Sequence, residues 1–136
     1  MKILIDNNVV MDVLFNREEH YEKSSGVFKM CEYAITGYIS ALSLADMFYV
    51  MRKSLNNEKI DYYLNLLKSI FILEDLTVAD MHRAVKLDFK DYEDAVQTAC
   101  AMRIDADYIV TRNTKDFKES PIPAVTPAEF IEIVGK

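Results

Sequence analysis

The chain opens with an unbroken apolar run, Ile3-Leu4-Ile5, that stops at Asp6. A short continuous run of this kind is typical of a strand buried on both faces of a parallel sheet, so Lys2 to Asp6 is predicted as the first strand. In Asn8 to Phe15 the apolar positions Val9, Val10, Val13 and Leu14 fall at helical spacing. A longer helix is predicted from Glu18 to Ala34, with Tyr21, Val27, Phe28, Cys31 and Ile35 on one side and Gly37 as its stop. Tyr38 to Ser40 reads as a short strand. Helices then follow over Leu42–Leu55 and Lys59–Ser69, and a third strand over Ile70–Leu73. Thr77, with Asp80 in the first turn, caps a helix through Leu87. Tyr92 to Arg103 is a further helix, Tyr108 to Thr111 a fourth strand and Ala124-Val125 at most a short fifth. Thr126, Pro127 and Glu129 spell a capping box with proline at the first helical position, which starts a last helix running to Val134.

Strands alternating with helices predict an α/β sandwich on a parallel sheet. No linker interrupts the 136 residues, so one domain over 1–136 is expected. An apolar fraction of 51% and a charged fraction of 28% are ordinary for a globular chain. No apolar stretch approaches the ~20 residues of a membrane span, and Asp6 interrupts the place where a secretory signal core would lie. Cys31 and Cys100 lack metal-ligand spacing and fall in helical patterns. They are expected to be reduced, partly buried thiols of a cytoplasmic protein. The net charge of −6 is unusual for a protein that grips phosphates by charge alone. A nucleic-acid function would need its acids gathered at a metal and its bases elsewhere.

Each acid has a plain structural reading beside a functional one. Asp6 ends the first strand, where parallel sheets bind ligands; an N-cap for the next helix accounts for it equally well. Asp12 lies within that helix and is assigned to structure, as an exposed or locally paired acid bonding to Asn8 or a basic neighbour. Asp46 interrupts an apolar helix face between Leu42, Ser43, Tyr49 and Val50, and aspartate is a poor interior helix residue; pairing with Arg52 or Lys53 is the plain alternative. Asp88, Asp91, Glu93 and Asp94 start a helix, where the macrodipole favours acids. That explanation suits Asp94 least, since it leads directly into apolar Ala95 and Val96. Thr111, Arg112, Asn113 and Asp116 follow the fourth strand, either as an ordinary polar loop or as a second set of groups at a strand end. Two carboxylates ~4 Å apart repel by about 4 kcal/mol at an effective dielectric of ~20. A fold that gathers several such acids in one crevice needs a positive charge there, and a hard divalent cation with oxygen ligands meets that need.

These stretches resemble the PIN-domain family. IDNNVVMDVL is similar to that family's opening "DTNVLLD" segment, with Asp6, Asn8 and Asp12 in matching places. SALSLADMFYVMRK resembles its second motif, DYEDAVQTACA its third and IVTRNTKDF its fourth, and the tail PIPAVTPAEFIEIV resembles the end of many members. The resemblance implies a three-layer α/β/α sandwich around a central parallel sheet. It implies a Mg²⁺- or Mn²⁺-dependent ribonuclease, often a VapC-type toxin held by a partner antitoxin, and often a homodimer. Residue by residue it implies Asp6, Asp46, Asp94 and Asp116 as the acidic quartet, with Asp6, Asp94 and Asp116 on the metal. Asn8, Thr111 and Asn113 become supporting groups, and Asp91 a further acid whose share is open. Asp46 departs from the family's usual glutamate. Arg52, Lys53, Arg112, Lys115 and Lys118 lie in or near the motifs as RNA phosphate contacts.

Other classes fit less well. A receiver-type signalling domain would explain Asp6 and Thr111, but Thr126-Pro127 stands where its lysine belongs, and Asp75 is the only candidate phosphoacceptor. A haloacid-dehalogenase-like phosphatase wants an acid where Asn8 stands. Gly26, Gly37 and Gly135 form no phosphate loop, and His20 and His82 have no catalytic context. A PIN-like binding module without catalysis is favoured only by Asp46. Tyr33, Tyr62, Tyr63 and Phe71 are candidate interface aromatics, with a core place preferred for Phe71.

Overall fold

The computed structural model describes residues 1–135. In chain order the elements are β1 (Lys2–Ile5), α1 (Asn7–Leu14), α2 (Tyr21–Tyr33), β2 (Thr36–Ser40), α3 (Ala41–Met51), α4 (Asn57–Ile70), β3 (Ile72–Glu74), α5 (Val78–Leu87), α6 (Tyr92–Arg103), β4 (Tyr108–Val110), a 3-10 turn (Thr114–Phe117), β5 (Ala124–Val125) and α7 (Pro127–Gly135). All strand pairs are parallel, and the sheet order is β3-β2-β1-β4-β5. The chain builds outward from β1 through β2 and β3, then crosses back to place β4 on the other side of β1. The strand order therefore reverses between β1 and β4, which is where an open parallel sheet forms its crevice.

The three layers follow from the pleat of β1. Ile3 and Ile5 point to one face and pack with Val9, Val10, Val27, Ile39, Met47 and Phe130 from α1, α2, β2, α3 and α7. Leu4 points to the other and packs with Cys100, Ala101 and Ile109. β1 is thus covered on both sides, as its uninterrupted apolar run requires, and each fully buried Ile or Leu contributes roughly 1.5–3 kcal/mol. Among the described residues no helix is long and apolar enough to cross a membrane. Both cysteines are buried and free, and burial pushes the Cys31 thiol up to about 12.

Most element boundaries match the sequence pattern, and α6 does so at both ends. Both expected capping boxes form: Thr77 with Asp80 and Thr126 with Glu129. Phe71 is buried, edge-on to Phe28 with ring centroids 4.8 Å apart. Gly37 differs from expectation. It does not stop α2, which ends at Tyr33; it lies inside β2, paired with Ile3. A Cβ there would stand 2.7 Å from the Cys31 Sγ and 2.8 Å from the Phe71 ring, so close packing rather than helix termination requires glycine. α3 stops at Met51, four residues early, and β3 begins only at Ile72 because α4 continues through Ile70.

Candidate active site

Asp6 is both the α1 N-cap and a crevice residue. Its Oδ1 accepts from the Asn7 amide at 2.8 Å. Its Oδ2 accepts from the Thr111 hydroxyl at 2.9 Å and from Asn8 Nδ2 at 3.4 Å. Asn8 Oδ1 in turn accepts from the Arg112 amide at 3.3 Å, and the Asn113 amide donates to Thr111 Oγ1 at 3.1 Å. The expected supporting residues Asn8, Thr111 and Asn113 thereby stitch the end of β1 to the end of β4. Thr111 is fully buried, which fixes its hydroxyl against Asp6.

The other acids arrive on separate elements. Asp46 is half-buried midway along α3, Asp94 is half-buried in the first turn of α6, and Asp116 is exposed on the 3-10 turn that Phe117 anchors in the core. They stand close enough to act on one another. The Asp6 carboxyl is raised above its ordinary value, first by burial and then by the charges of Asp46 and Asp116, against the pull of its Thr111 and Asn7 hydrogen bonds. Asp94 is pushed up to about 7 by burial and by Asp91, Asp6 and Asp116. The quartet therefore shares one electrostatic site. Asp91, exposed, is the α6 N-cap and accepts from the amides of Glu93 at 2.8 Å and Asp94 at 3.4 Å.

A fifth acid belongs to this group. Glu93 is pushed up to about 7, chiefly by a side-chain hydrogen bond with Asp46, then by burial and the charges of Asp46, Asp91 and Asp94. Its place in the first turn of α6 made the macrodipole a sufficient explanation in sequence, and its partner is on another helix. Asp46 consequently stands beside Glu93, and among the described residues it is in no ion pair with Arg52 or Lys53. Lys53 instead stands over the Tyr49 ring, 5.0 Å from its centroid.

Asp12 is not exposed. It is completely buried and paired, accepting from Arg112 Nε at 2.9 Å, Ser24 Oγ at 3.2 Å and Arg17 at 3.4 Å. This commits the Arg112 side chain to the interior side of the loop. Lys115 and Lys118 instead line an open cleft of about 780 Å³ together with Lys90, Phe89, Tyr92 and four acids, Asp91, Asp94, Asp116 and Glu119.

The donor set is carboxylate, amide and hydroxyl oxygen, which suits a hard divalent cation, and the crowded negative charge would be relieved by one. Among the described residues no three acids, histidines or cysteines converge at metal-ligand spacing.

Comparison with known proteins bears on the family and the fold. A family model of the PIN domain matches residues 2–115. No curated protein matches the chain in sequence. Among solved structures, the VapBC2 complex of Rickettsia felis bound to a promoter DNA fragment contains a chain with TM-score 0.74 and 19% identity, covering 93% of this chain and 98% of that one. A toxin-antitoxin complex from Klebsiella pneumoniae gives 0.71 and 23%, covering 92% and 97%. The sarcin-ricin-loop-cleaving toxin VapC20 of Mycobacterium tuberculosis gives 0.62 and 10%, covering 79% and 86%. With the family match running from β1 into the start of the 3-10 turn, as far as Lys115, the chain belongs to the PIN-domain family.

Proposed function

We propose that the protein, acting as one domain over residues 1–136, is a Mg²⁺- or Mn²⁺-dependent endoribonuclease and the toxin of a type II toxin-antitoxin pair. The observation that supports this reading is the approach of Asp6, Asp46, Asp94 and Asp116 around the β1–β4 crevice: burial first, and then the charges of Asp46 and Asp116 on Asp6 and of Asp91, Asp6 and Asp116 on Asp94, hold these two carboxyls above their ordinary pKa. A bound divalent ion would supply charge neutralisation at the phosphate and activation of water. Asp6, Asp94 and Asp116 would hold it, and Asp46 would complete the acidic set. Thr111 and Asn8 keep the Asp6 carboxylate oriented, and Asn113 holds Thr111 through its backbone. The products would be a 5′-phosphate and a 3′-hydroxyl.

Similarity to chains of a VapBC complex and of a further toxin-antitoxin complex supports a cognate antitoxin as partner. Exposed aromatics at Tyr33, Tyr49 and Tyr62 support a homodimer, and buried free thiols suit a cytoplasmic location. A non-catalytic PIN-like module is the second reading, favoured by Asp46 in place of glutamate and by its pairing with Glu93. Incubation of total RNA with the purified protein and Mn²⁺ separates the two. Mapped cleavage that disappears in Asp6→Asn supports the nuclease. Intact RNA with a wild-type protein that is folded and takes up Mn²⁺ leaves the binding module.

A further inference from the structure

A second cavity, of about 290 Å³, opens between α2, the loop after β4 and the start of α7, and none of the four crevice acids lines it. Arg112 stands in its wall, already fixed in place. Its Nε donates to Asp12 Oδ2 at 2.9 Å, and Asp12, wholly buried, also accepts from Ser24 and Arg17. The two Nη groups at the tip of the guanidinium make no hydrogen bond among the described residues, and the side chain is 29% exposed. Lys23 of α2 lines the same cavity and is in no ion pair among the described residues. The acids near the cavity are engaged elsewhere. Glu19 stands 3.7 Å from His20 with its side chain 88% exposed, and Glu129 Oε1 accepts from the Thr126 amide at 2.9 Å in the capping box of α7. Pro127 and Ala128 add apolar lining beside the two cations.

We propose that this cavity is a binding site for a phosphate group, free or as a small phosphomonoester, with two of its oxygens on the Arg112 fork, a third on Lys23 and any organic body against Pro127 and Ala128. A guanidinium offers a planar fork to two oxygens, and an ammonium acts as a point charge on another. A tetrahedral phosphate presents oxygens to both at once, whereas a carboxylate has only two, in one plane. Asp12 holds the fork in position before binding, so little side-chain order has to be created by the ligand. The cavity lies at the lower end of the ~300–1,000 Å³ usual for small-molecule sites, which suits a small ligand. The site is separate from the acidic crevice and independent of the nuclease reading.

The test is calorimetric titration of the whole chain with inorganic phosphate and with phenyl phosphate, in chelator and at constant ionic strength, so that no metal ion recruits the anion to the acids. One site per chain is expected, with acetate failing to compete. Lys23→Ala and Arg112→Lys should each weaken binding about tenfold; the lysine at 112 keeps a charge toward Asp12 but loses the fork, and circular dichroism checks its fold. Ala128→Glu sets a carboxylate at the cavity in the first turn of α7, where an acid suits the helix, and should abolish binding in a folded protein. Lys115→Ala, in the other cleft, should bind as wild type does. Tighter binding of phenyl phosphate assigns the site to a phosphomonoester, and equal binding assigns it to free phosphate. No heat at millimolar phosphate, acetate competing as well as phosphate, or an affinity lost in Lys115→Ala and kept in Lys23→Ala and Ala128→Glu overturns the proposal.

Discussion

Gln97 donates from Nε2 to Ser43 Oγ at 2.5 Å, and its Oε1 accepts from Ser40 Oγ at 2.6 Å, with all three side chains buried. Ser43 lies one turn before Asp46 on α3, and Gln97 lies one turn after Glu93 and Asp94 on α6. This polar tie therefore sets the spacing of the two acid-bearing helices from opposite sides of the crevice. Leaving a buried hydroxyl unmatched costs about 1–3 kcal/mol. Gln97→Leu should thus lower stability by about that amount in urea unfolding. It should also lower RNA cleavage by the protein that stays folded, because Asp46 and Asp94 lose their common register. An unfolding midpoint equal to wild type would show that the tie carries no stability.

The Asp12–Arg112 pair joins α1 to the loop after β4 across 100 residues of sequence. Breaking a buried pair by removing one partner costs more than the pair contributes, about 3–5 kcal/mol, because the remaining charge is left without its match. Arg112 and Arg17 are partly exposed, so the low end applies. Asp12→Ala should destabilise by about 3 kcal/mol. Arg112→Ala added to it should cost little further, because the partner is already gone. Additive losses in the double-mutant cycle would mean the two residues act separately.

Crowded acids make stability depend on pH. Asp94 rises from 3.8 to about 7 on folding and Glu93 from 4.5 to about 7, and Asp6 is raised as well. The folded state therefore binds more protons than the unfolded state between these values. Stabilisation from the protonated acids is complete below about pH 4 and is lost as pH rises through about 7. In chelator, Tm should fall over this window, and Asp94→Asn should flatten the decline and melt higher than wild type at about pH 8. Added Mn²⁺ should raise Tm, and more at about pH 8 than at about pH 5, since metal and protons compete for the same oxygens. A Tm indifferent to Mn²⁺ at both pH values would remove the metal from the reading.

The strongest local signals in the chain were legible as sequence. The apolar run of β1 gave its burial on both faces, the threonine caps gave the starts of α5 and α7, and the spacing of Tyr92 to Arg103 gave α6. Each depends on neighbours a few residues apart. What stayed hidden depends on partners far along the chain. Asp12 looks like an ordinary helix-surface acid until Arg112 arrives from beyond β4. Gly37 looks like a helix stop until Phe71 packs against it. Gln97 and Glu93 sit in a helix that needs no tertiary reason to contain them, and only the approach of α3 gives them one. Asp6 was legible twice over, and it is both cap and crevice acid.

The pairing of Asp46 with Glu93 makes position 46 the most informative one to change. Asp46 is a methylene shorter than the acid the family usually carries there, and Glu93, from the next acid-bearing helix, reaches across to hydrogen-bond it. Acids that hold one ion act as a unit, so losses at them do not add. Asp6→Asn and Asp94→Asn should each reduce RNA cleavage to near background, and combining them should cost little more. Asp46→Asn should behave in the same way. Asp46→Glu extends the carboxylate by one methylene and should keep or raise cleavage. Glu93→Gln keeps a hydrogen-bond donor toward Asp46 while removing one negative charge, so it should retain more activity than Asp46→Asn and should melt higher than wild type in chelator at about pH 8. These outcomes are read from initial cleavage rates, with circular dichroism confirming the fold of each variant. Wild-type rates in Asp6→Asn would remove the nuclease. Wild-type rates in Asp46→Asn, with Asp6→Asn inactive, would leave a three-acid site of Asp6, Asp94 and Asp116 and make the Asp46–Glu93 pair purely structural.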